Sequence, residues 1–302
     1  MYELAILARG GVLLTVWALA AGWPPGRLAA RLRRDGWQRI CRGAWAVPGK
    51  ETDWRVRETA LQLLRPRYVC HHGTAARLHR IEVLTGAGPV RGSGSSAGAG
   101  SHASLPPRDV CLRRGLRVTT AARTAADLIR ASGSREEAVV TADSALSRRV
   151  VEGVRRDPPV RYEELAAQLS VRRPGAPRAR AWLRLADPAA GSPAETVARL
   201  RMADASLFPE SQPPLRTPAG RALHPDFLFR AAGLAVEVEG YAYHGTPRAH
   251  ERDIARFNAL QSCPEVHRVL RFTAREVLTR PDRMTATVRT ALEELGAATR
   301  AT

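Results

Sequence analysis

Two neighbouring segments organise the C-terminal part of the chain: Leu223-His224-Pro225-Asp226-Phe227-Leu228-Phe229, and then Leu234-Ala235-Val236-Glu237-Val238-Glu239-Gly240. Alternate residues of a strand share a face, so the second segment has Leu and Val on one face and both glutamates on the other. Residues 230–233, between the segments, have the length of a hairpin turn. The pattern therefore predicts an antiparallel pair with Asp226, Glu237 and Glu239 at one end.

Three neighbouring carboxylates repel one another, so this arrangement requires a compensating charge. A divalent cation is the natural candidate, because hard cations take carboxylate oxygens as ligands. We therefore predict a site for Mg²⁺ or Mn²⁺ with Asp226, Glu237 and Glu239 as ligands.

An ordered set of residues extends this pattern over residues 190–297. It resembles bacterial domains related to very-short-patch-repair endonucleases, in the PD-(D/E)XK nuclease superfamily. The set comprises Glu195, Asp226, Glu237-Val238-Glu239-Gly240, Tyr243-His244, Asp253-Ile254-Ala255-Arg256 and Val269-Leu270-Arg271-Phe272.

The resemblance implies an α/β domain with a mixed sheet, in which Asp226 and Glu237 hold a magnesium ion that activates water against a phosphodiester. It makes Glu195 an outer acid of the site, and Glu239 a third ligand or a water-orienting base. His244 and Arg256 are then candidates to donate to phosphate oxygens or to the leaving group. Glu239 stands where the superfamily normally has lysine, although an acid is usual in this branch.

Glu195 has a second interpretation. Ser192 fits a helix N-cap and Pro193 the first helical position, so Glu195 also stands where the glutamate of a capping box belongs. Both interpretations remain open from the sequence.

The charge of the chain is strongly basic and unevenly distributed. The net charge is +18 and the pI is about 11.3, which favours a polyanionic partner. Residues 191–302 hold 15 Arg against 13 acids, whereas residues 1–190 hold 31 Arg and one Lys against 16 acids. The attraction for DNA phosphates is therefore expected mainly from residues 1–190.

The N-terminal region predicts a winged helix: helices over residues 2–9, 13–22 and 26–34, then two short strands within residues 37–48. The run from Gly36 to Gly49 resembles the N-terminal domain of AbiEi-type antitoxins, which implies a repressor of its own operon and a cognate toxin partner. The alternative is a module for protein interaction or dimerisation. The predicted DNA-binding residues are Arg27, Arg31, Arg34, Arg39 and Arg42.

The middle of the chain predicts a mixed α/β scaffold without a catalytic constellation. It includes a helix over residues 54–64, a long helix over residues 134–151, and a flexible Gly/Ser-rich insertion at residues 91–104. His71, His72 and His79 are interpreted as packing or capping residues, since no acid or cysteine stands at ligand spacing.

Four scattered cysteines indicate free thiols in a reducing cytosol. The apolar N-terminal run is interrupted by Arg9 and Gly10-Gly11, and no transmembrane stretch is predicted, so the expected location is cytoplasmic. The oligomeric state is left open.

The sequence thus predicts an α/β multidomain protein. Its parts are a winged-helix domain at residues 1–50, an antitoxin-like middle region at 51–189 and an endonuclease-like domain at 190–302. The leading functional hypothesis is a DNA-binding, metal-dependent endonuclease in a toxin–antitoxin, defence or repair context. The alternative is a non-catalytic, antitoxin-like repressor with a degenerate nuclease fold.

Overall fold

The computed structural model describes residues 3–84, 105–239 and 247–301 of the α/β protein. It divides into two compact units, unit 1 (Met1–His79 and Ala87–Thr124) and unit 2 (Arg80–Gly86 and Ala125–Thr302). None of the helices in the described ranges is long and apolar enough to cross a membrane. The insertion predicted at residues 91–104 lies outside the described residues.

Unit 1 begins with a helix–turn–helix and a β-hairpin. Its elements are β1 (Val12–Leu14), α1 (Thr15–Ala20), α2 (Pro25–Arg34), β2 (Gln38–Cys41), β3 (Ala44–Ala46), α3 (Trp54–Leu64), α4 (His72–His79), β4 (Val110–Arg113) and β5 (Leu116–Thr119). β3 pairs with both β1 and β2, so a β-hairpin directly follows α2, in the position where a winged helix has its wing. The helix α5 (Ala121–Ala131) crosses the division between the units.

Two predictions for this region are corrected. The expected helix at residues 2–9 is absent from residues 3–9, which form a turn and one bridge from Arg9 to Val12. The second helix begins at Thr15 rather than Leu13, because Leu13 and Leu14 pair with β3 as part of β1. A short apolar run is compatible with a strand or with a helix, and here pairing with β3 selects the strand.

The two faces of β1 explain why it is a strand. Leu13 packs with Leu28 and Leu32 of α2 in one core cluster. Val12 and Leu14 pack on the other side against residues of α3. A strand directs alternate side chains to opposite faces, so β1 can contact both clusters at once. Burial on both faces therefore stabilises the extended conformation of this segment.

Unit 2 begins with helices and a hairpin: α6 (Arg135–Leu146), β6 (Arg149–Val151), β7 (Val154–Arg156), α7 (Tyr162–Ser170) and α8 (Ala176–Leu183). The long helix predicted over residues 134–151 is therefore wrong beyond Leu146. Glu152 and Gly153 both have positive φ, 51° and 74°, which closes a two-residue hairpin. A glutamate–glycine pair in a charged run gave too weak a turn signal to predict it.

The rest of unit 2 is the predicted mixed-sheet domain. Its elements are α9 (Pro193–Asp204), β8 (Glu210–Ser211), β9 (Leu215–Arg216), β10 (Ala222–Leu223), β11 (Phe227–Phe229), β12 (Leu234–Glu239), α10 (Pro247–Gln261), β13 (Arg268–Thr273), α11 (Ala274–Thr279) and α12 (Pro281–Ala301). The main sheet has the order β13-β12-β11-β8, parallel between β12 and β13 and antiparallel elsewhere.

The predicted β11–β12 hairpin is confirmed, with one difference: Asp226 precedes β11 instead of ending it. Gly233 closes the turn at φ +63°, and a Cβ there would lie 2.6 Å from His267 Nδ1, so the turn requires glycine. Gly233 therefore fixes the length of the hairpin turn, which lies at the end of the strands opposite the carboxylates.

The two faces of β12 pack as the alternation predicts. Leu234, Val236 and Val238 lie in the larger core cluster with residues of α9, α11 and α12. Ala235 lies in a second cluster with Leu228 and Leu260. Core on both sides holds β12 in register with its neighbours.

The boundary predicted near residue 190 lies inside unit 2. Val140 of α6 belongs to the same core cluster as Val197 of α9. The fully buried Asp143 accepts hydrogen bonds from the Asp187 N–H at 2.7 Å, Thr196 Oγ1 at 2.7 Å and Arg199 Nη2 at 3.0 Å. Burial raises the pKa of Asp143 to about 6, while Arg199 and the neutral donors favour the charged form. Residues on both sides of position 190 therefore stabilise each other.

We predict that Asp143→Ala lowers the free energy of unfolding by about 3 kcal/mol, because Arg199 and two other donors lose a buried acceptor. The measurement is urea unfolding of the full chain. Asp157→Ala is the matched control: Asp157 is 79% exposed and pairs with Arg148, so its loss should change stability by less than about 1 kcal/mol. Equal effects of the two substitutions would contradict the assigned role of Asp143.

Candidate acid site and basic surfaces

Three elements bring the acids of unit 2 together. Glu195 lies in the first turn of α9, Asp226 directly precedes β11, and Glu237 lies on β12. Phe227 pairs with Val236, and this antiparallel register places Asp226 beside Glu237. Glu195 and Asp226 are buried and Glu237 is half-buried. The cluster thus results from strand register and from the docking of α9.

Asp226 is held by two donors. The Val238 N–H donates to its Oδ2 at 2.7 Å, and Gln212 Nε2 donates to its Oδ1 at 2.9 Å. The same Gln212 nitrogen donates to Glu195 Oε2 at 3.0 Å. One amide group therefore bridges two carboxylates that come from different elements.

Gln212 was not predicted from the sequence. Its backbone adopts a left-handed conformation at φ 48°, and its N–H donates to the Asp226 carbonyl oxygen at 3.0 Å. A polar residue held in this sparsely populated region is a feature often found at functional sites. The sequence carries no motif for it, because its position depends on the pairing of β8 with β11.

Glu195 contacts both the start of α9 and the neighbouring acids, but it does not close the predicted capping box, because its side chain accepts from Gly191 rather than from the Ser192 N–H. Ser192 Oγ accepts from the Glu195 N–H at 3.2 Å, so Ser192 is the N-cap, while Glu195 Oε2 accepts from the Gly191 N–H at 2.7 Å. The same oxygen accepts from Gln212. Glu195 therefore stabilises the start of α9 and belongs to the acid cluster.

Arg256 of α10 is the cation at the cluster. Its Nη2 donates to the two carboxylate oxygens of Glu237 at 3.0 and 3.1 Å, and to the His224 carbonyl oxygen at 2.9 Å. Arg256 is 39% exposed on its side chain, against 15% for Glu237. This predicted site residue therefore lies at the solvent-facing side of the acids.

Burial, together with the nearby charges of Glu195 and Glu237, raises the pKa of Asp226 to about 8, against the lowering effects of the Val238 N–H and Arg256. Burial also raises the pKa of Glu237, against the lowering effect of Arg256. Asp226 therefore holds its proton well above the ordinary range of a carboxylic acid.

Glu239 is placed differently from the prediction. Its carboxylate forms an ion pair with Arg271, which also donates to Asp253 Oδ2 at 2.7 Å. No group of three His, Cys, Asp or Glu in the described ranges is arranged as a complete metal site, so the set Asp226, Glu237 and Glu239 is not assembled as one. His244 lies outside the described residues.

The acid cluster offers oxygen donors of the type that a divalent cation takes, although no three of its carboxylates in the described residues are arranged to hold one. Glu195 and Asp226 direct one oxygen each at a single Gln212 nitrogen, and a carboxylate of Glu237 lies alongside. Hard oxygen donors of this kind suit Mg²⁺ or Mn²⁺. The residues that would hold the ion are therefore Asp226 and Glu237, with Glu195 as a further acid.

Unit 1 carries the predicted basic surface. All five predicted DNA-binding arginines are exposed, on α2 and the β2–β3 hairpin. Arg31 pairs with Asp35 at 2.5 Å, and Arg33 lies over the Trp45 ring at 5.9 Å. The helix and the wing thus both present positive charge to solvent.

The histidines interpreted above as packing or capping residues have local partners. The His71 and His72 Nδ1 atoms lie 2.6 Å apart, and His79 Nε2 lies 2.7 Å from the Thr119 carbonyl oxygen. Burial lowers the pKa of His79, which favours its neutral form.

Comparison of the chain with protein-family models, curated proteins and solved structures gave no match. The function is therefore inferred from the residues and geometry of this chain.

We predict that Asp226→Asn changes the pH dependence of stability in metal-free buffer with EDTA. A carboxyl whose folded-state pKa is raised contributes stability at low pH that is lost as the pH rises towards 8. The stability of the variant relative to wild type should therefore increase between pH 4 and 8, by up to about 1.4 kcal/mol per pH unit.

Urea unfolding at several pH values measures this difference. The control is Asp282→Asn, an exposed aspartate at the start of α12. A pH-independent difference between Asp226→Asn and wild type would show that the Asp226 carboxyl titrates normally in the folded protein.

Proposed function

We propose that the protein binds DNA through the winged helix of unit 1 and that unit 2 is a metal-dependent endonuclease that hydrolyses phosphodiesters. The observation that carries this proposal is the convergence of Glu195, Asp226 and Glu237 at one end of the β11–β12 hairpin. Buried acids in contact are unfavourable for stability alone, and they are typical of sites that bind a cation.

Each residue has a distinct task in this proposal. Asp226 and Glu237 hold the cation, and Glu195 orients Gln212 at its side. When bound, Mg²⁺ or Mn²⁺ polarises a phosphoryl oxygen and lowers the pKa of a coordinated water. Arg256, partly exposed beside Glu237, is placed to donate to a phosphate oxygen. His244 remains a candidate donor to the leaving group.

A second function is favoured by a specific observation. Gln212 and Arg256 already satisfy the acids without a cation, and Arg271 neutralises Glu239. These contacts suit a non-catalytic DNA-binding repressor that keeps a degenerate nuclease fold. The two proposals differ in whether a divalent cation can displace the Gln212 amide.

We predict that wild type cleaves DNA with Mg²⁺ or Mn²⁺ and that Asp226→Asn and Glu237→Gln abolish cleavage, because each removes a ligand charge. Their DNA affinity should be nearly unchanged, since most of the basic charge lies in residues 1–190. Metal should raise the Tm of wild type and of neither variant.

The assay uses labelled single- and double-stranded DNA, with melting curves recorded beside it. Glu265→Gln, an exposed site outside the cluster, is the control. Glu239→Gln should keep the metal-dependent rise in Tm, because Glu239 contacts Arg271. A wild type with neither cleavage nor metal-dependent stabilisation would leave the repressor as the function.

A further prediction concerns the winged helix. Replacing Arg27, Arg31 and Arg34 with Ala should weaken duplex binding, because each arginine that contacts phosphate adds about 0.9 to the log–log salt dependence. The slope should therefore fall by up to about 2.7. Fluorescence anisotropy from low to moderate salt measures both quantities. An unchanged slope would exclude α2 as the phosphate-contacting element.

A further inference from the structure

A second candidate surface lies in unit 2, away from the residues of the acid cluster. The helices α7 and α8 form a groove of about 250 Å³ lined by Tyr162, Ala166, Arg180, Leu183 and Arg184. We call it the α7–α8 groove. It is smaller than a typical small-molecule pocket of roughly 300–1,000 Å³, so its size suits one unit of a polymer better than a whole cofactor.

The lining combines an apolar base with an accessible aromatic ring. Leu183 is buried, Ala166 is half-buried, and Tyr162 is 46% exposed. A tyrosine exposed beside aliphatic side chains offers a surface on which a planar base can stack. The Asp and Glu side chains of an acidic peptide have no aromatic face to stack on this ring.

The α8 side of the groove is positively charged, whereas α7 carries Glu163 and Glu164 next to Tyr162. Residues 171–186 contain five arginines and no aspartate or glutamate. Arg180 and Arg184, which line the groove, are both exposed. Arg180 also donates to the Leu169 carbonyl oxygen at 3.2 Å, which ties its guanidinium to the end of α7. The groove therefore presents guanidinium groups at a defined position beside an aromatic ring.

We propose that the α7–α8 groove binds single-stranded nucleic acid, with a base against Tyr162 and Leu183 and phosphates on Arg180 and Arg184. Proteins that bind single strands combine stacking surfaces with basic grooves in this way. The proposal depends on neither the metal site nor the winged helix. It gives unit 2 its own contact with nucleic acid, although residues 191–302 are almost neutral.

The test uses the full chain with Arg27, Arg31 and Arg34 replaced by Ala, which removes the predicted contribution of α2. Binding of a fluorescent oligothymidylate is measured by anisotropy in EDTA. Adding Arg180→Ala and Arg184→Ala should weaken binding about tenfold and lower the salt slope by about 1.4, since each single-strand phosphate contact contributes about 0.7. Arg155→Ala with Arg275→Ala, two exposed arginines outside the groove, is the charge-matched control.

The aromatic contact is tested separately. Tyr162→Ala should weaken binding about fivefold or more, whereas Tyr162→Phe should bind as the parent does, because stacking needs only the ring. Melting curves verify that each variant is folded. If loss of the Arg180 contact with Leu169 unfolds the chain, Arg184→Ala combined with Tyr162→Ala decides the question.

Two results would overturn the proposal. Equal weakening by the groove variants and the charge-matched control would mean that net charge alone attracts the strand. Competition by polyglutamate as strong as by oligothymidylate, with no effect of Tyr162→Ala, would show that the groove recognises an acidic protein surface.

Discussion

The acid cluster depends on the hydrogen bond from the Val238 N–H to the Asp226 carboxylate across the β11–β12 hairpin. This bond keeps Asp226 at a fixed register position beside Glu237. The carboxylates cannot move apart to relieve their repulsion, because core clusters on both faces of the sheet hold β12 in place. The apolar packing of unit 2 thus offsets the unfavourable electrostatics of its acids.

Gln212 and Arg256 are the groups that compensate these acids in the structure. The Gln212 amide donates to Glu195 and Asp226 without adding charge, and the Arg256 guanidinium donates to Glu237. A divalent cation would supply more charge at the same oxygens, so the two arrangements compete for the same ligands. The two proposed functions therefore differ in whether the free energy of cation binding exceeds that of the existing contacts with Gln212 and Arg256.

Strong local signals predicted much of the fold. α3 has the bounds predicted for it, residues 54–64. The errors occur where a segment has two plausible structures, as in β1 and the β6–β7 hairpin. In those cases, pairing with a neighbouring strand selects the structure, and the sequence of one segment does not show which strand it pairs with.

The alternation of β12, the hairpin, the basic charge of residues 1–190 and the acids Asp226 and Glu237 could all be read from the amino-acid sequence. These features depend on residue type and spacing within one segment. Three contacts became visible only in the folded chain: Gln212 bridges Glu195 to Asp226, Arg271 pairs with Glu239, and α6 packs on α9 across position 190. Such contacts join residues far apart in the chain, because the docking of α9 and the pairing of the strands set their distances.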